Sequence, residues 1–471
     1  MDYMVDQLSH LDGVLPPDGY NNRLSVYLIA LEAWRRGVSV QFFVKNEINK
    51  RRMIYYKLKY KDTVRSFQLS ESLQLSKTVK KLCRDKNKTK RHLESIGIDT
   101  PKGFNIDNHV TSSMLKDMCN ELSFPVTIKP VDGQSGRGVY PNIKCFDDLL
   151  DVFNYLVNEL KYHNLLLEEY VQGEEHRFFG VGNEIVAVTK RTPAHVVGNG
   201  KDTINELIKH KNRLKEKNVL VYNKKIKVDH EVNLNLENNN YSLDSILPKG
   251  EMLKLREKSN ISSGGDHIDV TDEISEEAKI LAQEAIKSIE GIELSGVDMI
   301  INPKTKRMCI IEVNTRPMVG LHLFPLEGKP RDVIKPIIDF YFPELKNNYR
   351  SNLYFDFKSI QSTLNNSAVS RVTLKPLRYR NEKVEKHIIE FDNGDINKIM
   401  FKLKSFCILN NINGYVKEHK QDQIEMCCTM KKNESIIGLL TEFHIKYNYK
   451  LNLLKSDPLN IPLLIGFRIV R

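Results

Sequence analysis

Hydrophobic and polar positions follow periodic patterns along the chain that predict a mixed α/β protein. Residues 22–36 carry apolar side chains at helical spacing, and Gly37 follows at the expected end of this helix. The apolar run at residues 38–44 predicts a strand directly after the helix. Residues 273–289 repeat the helical spacing and lead into a second apolar run at residues 296–302. Helices therefore alternate with strands in both parts of the chain.

Two of the predicted strands carry side chains with oxygen atoms. The run at residues 296–302 contains Asp298, and the next run contains Glu312 and Asn314. Residues two apart on a strand share a face, so Glu312 and Asn314 point the same way, as does Arg316 if the strand continues. Three hard oxygen donors on neighbouring strands are typical of a Mg2+ site that is shared with phosphates. The alternative is an ordinary hairpin with surface charges, but apolar runs seldom end in such a matched set.

A glycine-rich loop follows the predicted strand at residues 124–130. Lys129 lies near the end of this strand and would supply a positive charge for phosphate groups. The loop lets backbone N–H groups approach phosphate oxygens closely, because it contains Gly133, Gly136 and Gly138. It matches neither the Walker pattern nor the dinucleotide fingerprint. Alone it would be a plain turn, but its place upstream of the carboxylates favours a loop that covers phosphates.

A third segment completes the predicted nucleotide site. The apolar run at residues 165–171 contains Glu168 and Glu169, and a turn then leads to Glu175. An adenine ring can form hydrogen bonds with the backbone of such a connecting segment, and a carboxylate just after it suits the ribose hydroxyl groups.

Composition narrows the class of protein. At 471 residues with 41% hydrophobic content, the chain is long enough for about three domains. We expect neither a membrane span nor a signal peptide, because no run of about 18 apolar residues occurs and the N-terminus is acidic. The seven scattered cysteines indicate reduced thiols in the cytoplasm and no structural zinc. The net charge is +11, but the Lys and Arg residues are spread along the chain and mixed with acidic residues. The absence of a dense basic stripe argues against a nucleic-acid partner.

Several further runs make the pattern specific. They lie at residues 85–93, 193–201, 241–250 and 255–265. Together with the segments above, in this order, they resemble the ATP-grasp superfamily, most closely the ligase domains of cyanophycin synthetase and of bifunctional glutathione synthetase. The resemblance covers roughly residues 82–345 and implies α/β and α+β architecture. It implies an N-terminal α/β pre-ATP-grasp domain at 1–82, an ATP-grasp domain at 83–350 with a lid at about 191–265, and a C-terminal domain at 351–471.

The resemblance also implies roles for individual residues, with ATP and Mg2+ as cofactors. The residues that would hold ATP are Lys86, Lys129, Gly133, Gln134, Ser135, Gly136, Gly138, Glu168, Glu169, Tyr170, Val171, Glu175 and Asn260. Two Mg2+ ions, for which Mn2+ would substitute, would be bound by Asp298, Glu312 and Asn314. The catalytic arginines would be Arg191, Arg256 and Arg316. Thr315 and Met318 depart from the pattern of the family, which more often has a small residue and then a glycine or aromatic residue.

The last 120 residues or so change in character and resemble an acylphosphatase-like α+β sandwich. Apolar runs at residues 372–374, 387–391 and 461–467 predict strands, and residues 400–409 and 434–443 predict helices. The loop at residues 393–398 lacks the arginine of that family, and Glu418 stands where its asparagine would be expected. We therefore expect no hydrolysis by this domain and instead a role in docking or dimerisation, so that the protein would be a homo-oligomer, in particular a dimer.

The activity implied by the resemblance is that of an ATP-dependent carboxylate–amine ligase. Such an enzyme forms an amide through an acyl-phosphate and releases ADP and phosphate, and its substrates here would be amino acids or short peptides. One alternative is a nucleotide-binding scaffold without catalysis. The joint presence of the site residues argues against it, namely Lys129, Asp298, Glu312, Asn314 and Arg316. Another is a carboxylate kinase that releases the acyl-phosphate or passes it to an acceptor other than an amine.

Overall fold

The computed structural model describes residues 8–45, 53–131, 138–366, 368–377, 382–392, 394–431 and 434–470. Two compact units make up this part of the chain. One contains Ser70–Ile337, and the other joins the residues up to Leu69 with those from Ile338 onward. None of the helices in the described ranges is long and apolar enough to cross a bilayer.

The bounds of the regular elements are as follows. The helices are α1 Leu24–Arg35, α2 Lys77–Arg84, α3 Lys86–Ser95, α4 Ser112–Leu122, α5 Phe146–Asn154, α6 Ile204–Glu216, α7 His230–Asn238, α8 Glu276–Lys287, α9 Gly320–Leu323, α10 Ile334–Tyr341, α11 Phe357–Asn365, α12 Ile396–Leu409 and α13 Ile436–Tyr447. The strands are β1 Ser39–Lys45, β2 Met53–Tyr60, β3 Thr63–Gln68, β4 Glu71–Ser72, β5 Gly103–Asp107, β6 Val126–Pro130, β7 Tyr140–Ile143, β8 Asn164–Glu169, β9 Glu174–Val181, β10 Glu184–Thr192, β11 His195–Val197, β12 Met252–Lys254, β13 Asp266–Asp269, β14 Leu294–Ile301, β15 Met308–Asn314, β16 Leu353–Tyr354, β17 Arg371–Leu374, β18 Glu382–Phe391, β19 Gly414–Lys420, β20 Gln423–Lys431, β21 Leu451–Pro458, β22 Leu463–Leu464 and β23 Phe467–Ile469.

Most of the predicted elements agree with these bounds, but the single strand predicted at residues 461–467 is wrong, because β22 and β23 are separate strands there. The helix expected at residues 22–36 is confirmed as α1, and Gly37 follows it with a φ of 87°. The helix expected at residues 273–289 is confirmed as α8, which the side chain of Ser275 caps by accepting a hydrogen bond from the backbone N–H of Ala278. Hydrophobic periodicity and capping residues are local signals, so they can be recognised in the sequence without knowledge of the fold.

Two sheets of the first unit position the candidate site. The first sheet has the strand order β5-β8-β6-β7, and its core includes Val126, Ile128 and Leu167. The second has the order β13-β10-β9-β14-β15, with all pairs antiparallel. Ala278, Ala282 and Ala285 of α8 are buried in the core of the second sheet. Small side chains at these positions let the helix approach the sheet closely.

The segment expected to form a lid lies between β10 and β13, two neighbouring strands of the second sheet. It contains the antiparallel pair β11–β12 and the helices α6 and α7, which share a small core of their own. Helix α6 begins with a reciprocal capping box between Thr203 and Glu206. A separate core allows this segment to move as one body, which is the mechanical requirement for a lid.

The described part of the second unit contains the short parallel pair β16–β22 and two larger sheets. Strands β17, β1, β2 and β3 lie side by side in that order, and the other sheet has the order β21-β18-β20-β19-β23. Helices α12 and α13 supply Leu403, Phe406 and Leu440 to the core of the latter sheet. The helices predicted at residues 400–409 and 434–443 are thereby confirmed as parts of α12 and α13. The loop expected to replace the acylphosphatase motif includes residue 393, which lies outside the described residues.

The division of the chain differs from the predicted domain boundaries at 82/83 and 350/351. The compact units divide after Leu69 and after Ile337, and β1 pairs with β17 across more than 300 residues of sequence. Such a long-range pairing leaves no local signal. The assignment of three domains and the acylphosphatase-like character of the tail remain predictions.

Candidate active site

The register of β14 and β15 brings the predicted carboxylates together. Asp298 lies directly opposite Glu312, and Asn314 lies opposite Gly296. The prediction that Glu312 and Asn314 share one strand is confirmed, because β15 runs from Met308 to Asn314. The strand ends there, so the pleat of the sheet does not set the direction of Arg316.

Asp298 is the centre of a buried network of charges. Its exposed fraction is 5%, and it lies opposite Arg177 of β9, which donates to both of its carboxylate oxygens, with 2.8 Å between Nη2 and Oδ2. Arg191 of β10 contacts Oδ2 at 2.9 Å and also donates to Glu175. Two arginines and two carboxylates therefore alternate across three neighbouring strands.

The sequence prediction did not include Arg177. The alternation of Glu175 and Arg177 on one strand places both on one face, which was the available signal. Only the register shows that Asp298 is its partner. A side chain at Gly296 would meet the Arg177 side chain at 3.0 Å, so the glycine leaves room for the guanidinium.

The pKa values of the two acids in this network are shifted in opposite directions. Burial alone would raise the pKa of Asp298, but the positive charges and hydrogen bonds of Arg177 and Arg191 outweigh it and lower the pKa. Burial raises the pKa of Glu175. The positive charge of Arg191 opposes this rise, and the negative charge of Asp298 adds to it. Asp298 is thus the ionised anchor of the network, and Glu175 is its more easily protonated member.

Two predicted phosphate-contacting lysines lie beside carboxylates. Lys86 Nζ lies 4.0 Å from Glu312 Oε2 at the beginning of α3, and Lys129 Nζ lies 2.5 Å from Glu168 Oε2. Lys129 and Glu168 are 5% and 3% exposed, so their contact is a buried ion pair. Lys90 Nζ lies 3.8 Å from the other oxygen of Glu168 and was missing from the predicted set. Glu168 of β8 thus binds one lysine from the neighbouring strand β6 and lies near another from α3.

Glu169 has a different role from that of its neighbour. Its carboxylate accepts hydrogen bonds from Arg307 at 2.8 and 3.0 Å and from the backbone N–H of Lys102 at 2.9 Å. The Arg307 guanidinium and this backbone N–H lower the pKa of Glu169 against the effect of burial. The backbone N–H groups of Glu169 and Tyr170 donate to carbonyls of the fold, whereas Val171 is a buried apolar residue. The carboxylate of Glu169 therefore holds the end of β8 in place through Arg307 and the backbone of Lys102.

Arg316 lies just beyond β15 and is held by an acid that the sequence did not indicate. Glu71 Oε1 accepts a hydrogen bond from Arg316 Nη2 at 3.1 Å, and Glu71 Oε2 accepts one from Thr315 Oγ1 at 2.7 Å. Lys80 Nζ lies 3.2 Å from the same carboxylate. Thr315, at which we expected a departure from the pattern of the resemblance, thus has a defined partner, whereas Met318 is 50% exposed.

Two other residues predicted to act at the phosphates, Arg256 and Asn260, lie in the lid segment. Arg256 donates to Asp229 at 2.5 Å and to Glu231, and Asn260 caps the short turn that follows it. The structure does not place Arg256 in the Asp298 network, so its predicted role at the phosphates remains a prediction.

The glycine-rich loop lies largely outside the described residues. Gly133, Gln134, Ser135 and Gly136 belong to that gap, and their predicted contacts remain predictions. Gly138 lies just after it with a φ of 74°, and a side chain there would meet Pro130 Cγ at 2.9 Å. Glycine is thus required at the end of the loop.

The donor set fits a divalent cation in part. Among the residues that the structure describes, no three His, Cys, Asp or Glu side chains lie close enough together to hold a metal ion. The Glu312 side chain is 28% exposed and, with the amide oxygen of Asn314 on the same strand, offers the hard oxygen atoms that Mg2+ prefers. Both oxygens of Asp298 are occupied by arginines, so Asp298 fits a cation only if one of these contacts is exchanged.

Comparison with known proteins places this site in a family. Residues 83–320 match the model described as an ATP-grasp domain, which is about half of the chain. The chain belongs to the ATP-grasp family. The matched region contains the two sheets, the lid segment and the whole Asp298 network, so the resemblance seen in the sequence is confirmed.

Relatives cover different shares of the chain. It is 35% identical to cyanophycin synthetase of Synechocystis over 273 residues, 56% of this chain and 30% of that protein. It is 31% identical to the glutathione biosynthesis bifunctional protein GshAB of Clostridium perfringens, over 69% of this chain and 42% of that protein. A crystal structure of the bifunctional glutathione synthetase from Pasteurella multocida matches with a TM-score of 0.46 and 28% identity, over 64% of this chain and 41% of that one. The chain thus spans less than half the length of these relatives.

Proposed function

We propose that the protein is an ADP-forming ligase that joins a carboxylate to an amine. A carboxylate oxygen of the first substrate attacks the γ-phosphorus of ATP, the bond to ADP breaks, and an acyl-phosphate forms. The nitrogen of the amine then attacks the acyl carbon, phosphate leaves, and the nitrogen loses a proton to give the amide. The observation that carries this proposal is the Asp298 network beside Glu312 and Lys86, within a matched ATP-grasp domain.

The residues of the chain have separate tasks in this reaction. Phosphoryl transfer requires positioning and charge neutralisation rather than covalent catalysis. Lys86 and Lys129 supply positive charge, and the carboxylates of Glu312 and Glu168 hold them before the nucleotide binds. When bound with the nucleotide, Mg2+ would neutralise phosphate charge, and Glu312 and Asn314 are the residues that fit it. Arg316 stabilises the charge that develops on the transferred group.

Nucleotide recognition uses the segment after β8. The N–H groups of Glu169 and Tyr170 already donate within the fold, so adenine would bond to other backbone groups of this segment up to Val171. Glu175 lies at the beginning of β9 and would accept hydrogen bonds from ribose hydroxyl groups, in exchange for part of its contact with Arg191. Arg191 would then turn toward the phosphates.

The substrates are proposed from the relatives. The names of the two curated relatives refer to cyanophycin and to glutathione biosynthesis, which supports an amino acid or short peptide as each substrate. We further propose that two Mg2+ ions take part, that Mn2+ substitutes for them, and that the protein acts as a homodimer in the cytoplasm.

A screen for ADP release tests the proposal. The protein is incubated with ATP, Mg2+ and pairs of amino acids and dipeptides, and the products are identified by mass spectrometry. Carboxylate labelled with 18O should pass one 18O atom to phosphate, because the acyl-phosphate oxygen leaves with it. Hydroxamate formed with hydroxylamine but no amide with any amine would instead indicate a carboxylate kinase. ATP binding without ADP release for any pair would indicate a scaffold and refute the ligase.

A further inference from the structure

Glu71 is a buried carboxylate that the proposed chemistry does not yet use. It is 2% exposed and lies at the beginning of the first unit, in the short strand β4. Three donors converge on it: Thr315 Oγ1 at 2.7 Å, Arg316 Nη2 at 3.1 Å and Lys80 Nζ at 3.2 Å. Three donors around one carboxyl group favour its charged form. Burial would raise the pKa of Glu71, but the hydrogen bonds of Arg316 and Thr315 and the charge of Lys80 lower it.

The same short segment holds the turn after β15 at a second point. Ser70 Oγ donates to the carbonyl oxygen of Pro317 at 2.8 Å. Residues 70–71 therefore contact three successive residues of the turn through side-chain hydrogen bonds. The pleat of the sheet sets the direction of the Glu312 and Asn314 side chains, but β15 ends at Asn314. Beyond that point, these contacts set the direction of the chain.

The Arg316 side chain remains 36% exposed, although one of its nitrogens is bound to Glu71. An arginine side chain carries about 2 kcal/mol of rotamer entropy, so an exposed one without an anchor samples many directions. Charge stabilisation in a transition state depends on donors that are oriented before the reaction, because reorientation then costs nothing at the barrier. The geometry of Glu71 supplies such an anchor.

We propose that Glu71 is a positioning residue that orients Arg316 for the ligase reaction, and that Thr315 fixes the carboxylate by binding its other oxygen. This inference rests on the proposed function and adds to it two residues outside the metal and nucleotide sets. It also explains the presence of threonine at position 315, where the family more often has a smaller residue.

Glu71→Gln in the full chain is the first test, with ADP formation from the substrate pair found in the screen. The variant keeps the size of the side chain but removes the charge that binds the guanidinium. A misplacement of about 1 Å in a catalytic group can lower a rate about 100-fold. We expect kcat to fall by about 10- to 100-fold while KM for ATP stays within about twofold.

A double-mutant cycle separates positioning from a general structural effect. If Glu71 acts through Arg316, then Glu71→Gln should lower kcat by no more than about twofold in an Arg316→Met background. A matched control is Glu425→Gln, because Glu425 is 5% exposed and is paired with Lys386 at 2.7 Å and Lys417 at 3.2 Å in the C-terminal region. This variant should keep the wild-type kcat.

Thr315 variants test the inference even if Glu71→Gln does not fold. Thr315→Ser keeps the hydroxyl group and should keep kcat, whereas Thr315→Val keeps the shape, loses the donor and should lower kcat. A wild-type kcat for both Glu71→Gln and Thr315→Val, or a full loss from Glu71→Gln in the Arg316→Met background, would overturn the inference alone. Absence of ADP formation by the wild-type protein with every pair would refute the proposed function and this inference with it.

Discussion

Replacement of Arg177 by methionine should destabilise the first unit. Methionine fills much of the same space but removes the guanidinium that donates to both oxygens of Asp298. Loss of one partner of a buried ion pair costs about 3–5 kcal/mol, because the other charge stays buried. Arg191 still contacts Oδ2 of Asp298 at 2.9 Å, so we expect the lower end of this range, about 3 kcal/mol.

A thermal transition makes this effect measurable. For domains of 150–250 residues, 1 kcal/mol shifts the midpoint by about 2–4 °C, so Arg177→Met should lower it by about 6 °C or more. The chain has two compact units, so a single two-state transition cannot be assumed. Calorimetry should follow the transition whose midpoint temperature rises when ATP is added to the wild-type protein.

Arg307→Met is the matched control for burial. Arg307 binds Glu169 through two nitrogens, but its side chain is 37% exposed, against 11% for Arg177. Exposed ion pairs contribute about 0–1 kcal/mol, so this variant should shift the midpoint far less. The double variant Arg177→Met/Asp298→Leu should lose less free energy of unfolding than the sum of the two single variants, by up to about 3 kcal/mol. Equal shifts for the two arginine variants, or simple additivity in the double variant, would refute the reasoning.

The remaining predictions concern the metal, the lid, the tail and acid stability. Glu312→Gln should abolish Mg2+-dependent ADP formation with an unchanged melting temperature, while Glu277→Gln on α8 should have no effect; a wild-type rate for Glu312→Gln would contradict the metal assignment. Hydrogen exchange at residues 191–265 and 133–138 should slow when an ATP analogue binds, and equal exchange in both states would argue against a lid. The full chain should not hydrolyse benzoyl phosphate, and hydrolysis that Asn397→Ala abolishes would contradict this. The pKa of Glu71 is lowered in the folded state, so its contribution to the free energy of unfolding is complete at pH 7 and is lost as the pH falls through 4.5 and below. In Glu71→Gln the free energy of unfolding should therefore depend less on pH in the acid range. Urea unfolding at several pH values would show this.

The sequence by itself determined the elements and the family. Helical periodicity and a terminal glycine located α1, and apolar runs located β14 and β15 with Asp298, Glu312 and Asn314 on them. These signals are local, since they depend on spacing within about 15 residues. The order of the motifs was sufficient for the ATP-grasp resemblance, which the match over residues 83–320 confirms.

Only the tertiary structure decided which charges meet. The register of β9 against β14 selects Arg177 as the partner of Asp298, although 121 residues separate them. Arg316 is held by Glu71, 245 residues away, because β15 ends before it. Cross-strand register and contacts beyond strand ends depend on the packing of distant segments. A pattern of hydrophobic and polar positions therefore identifies some residues of such a site. It misses others, such as Arg177 and Glu71, and cannot say which residues hold one another in place.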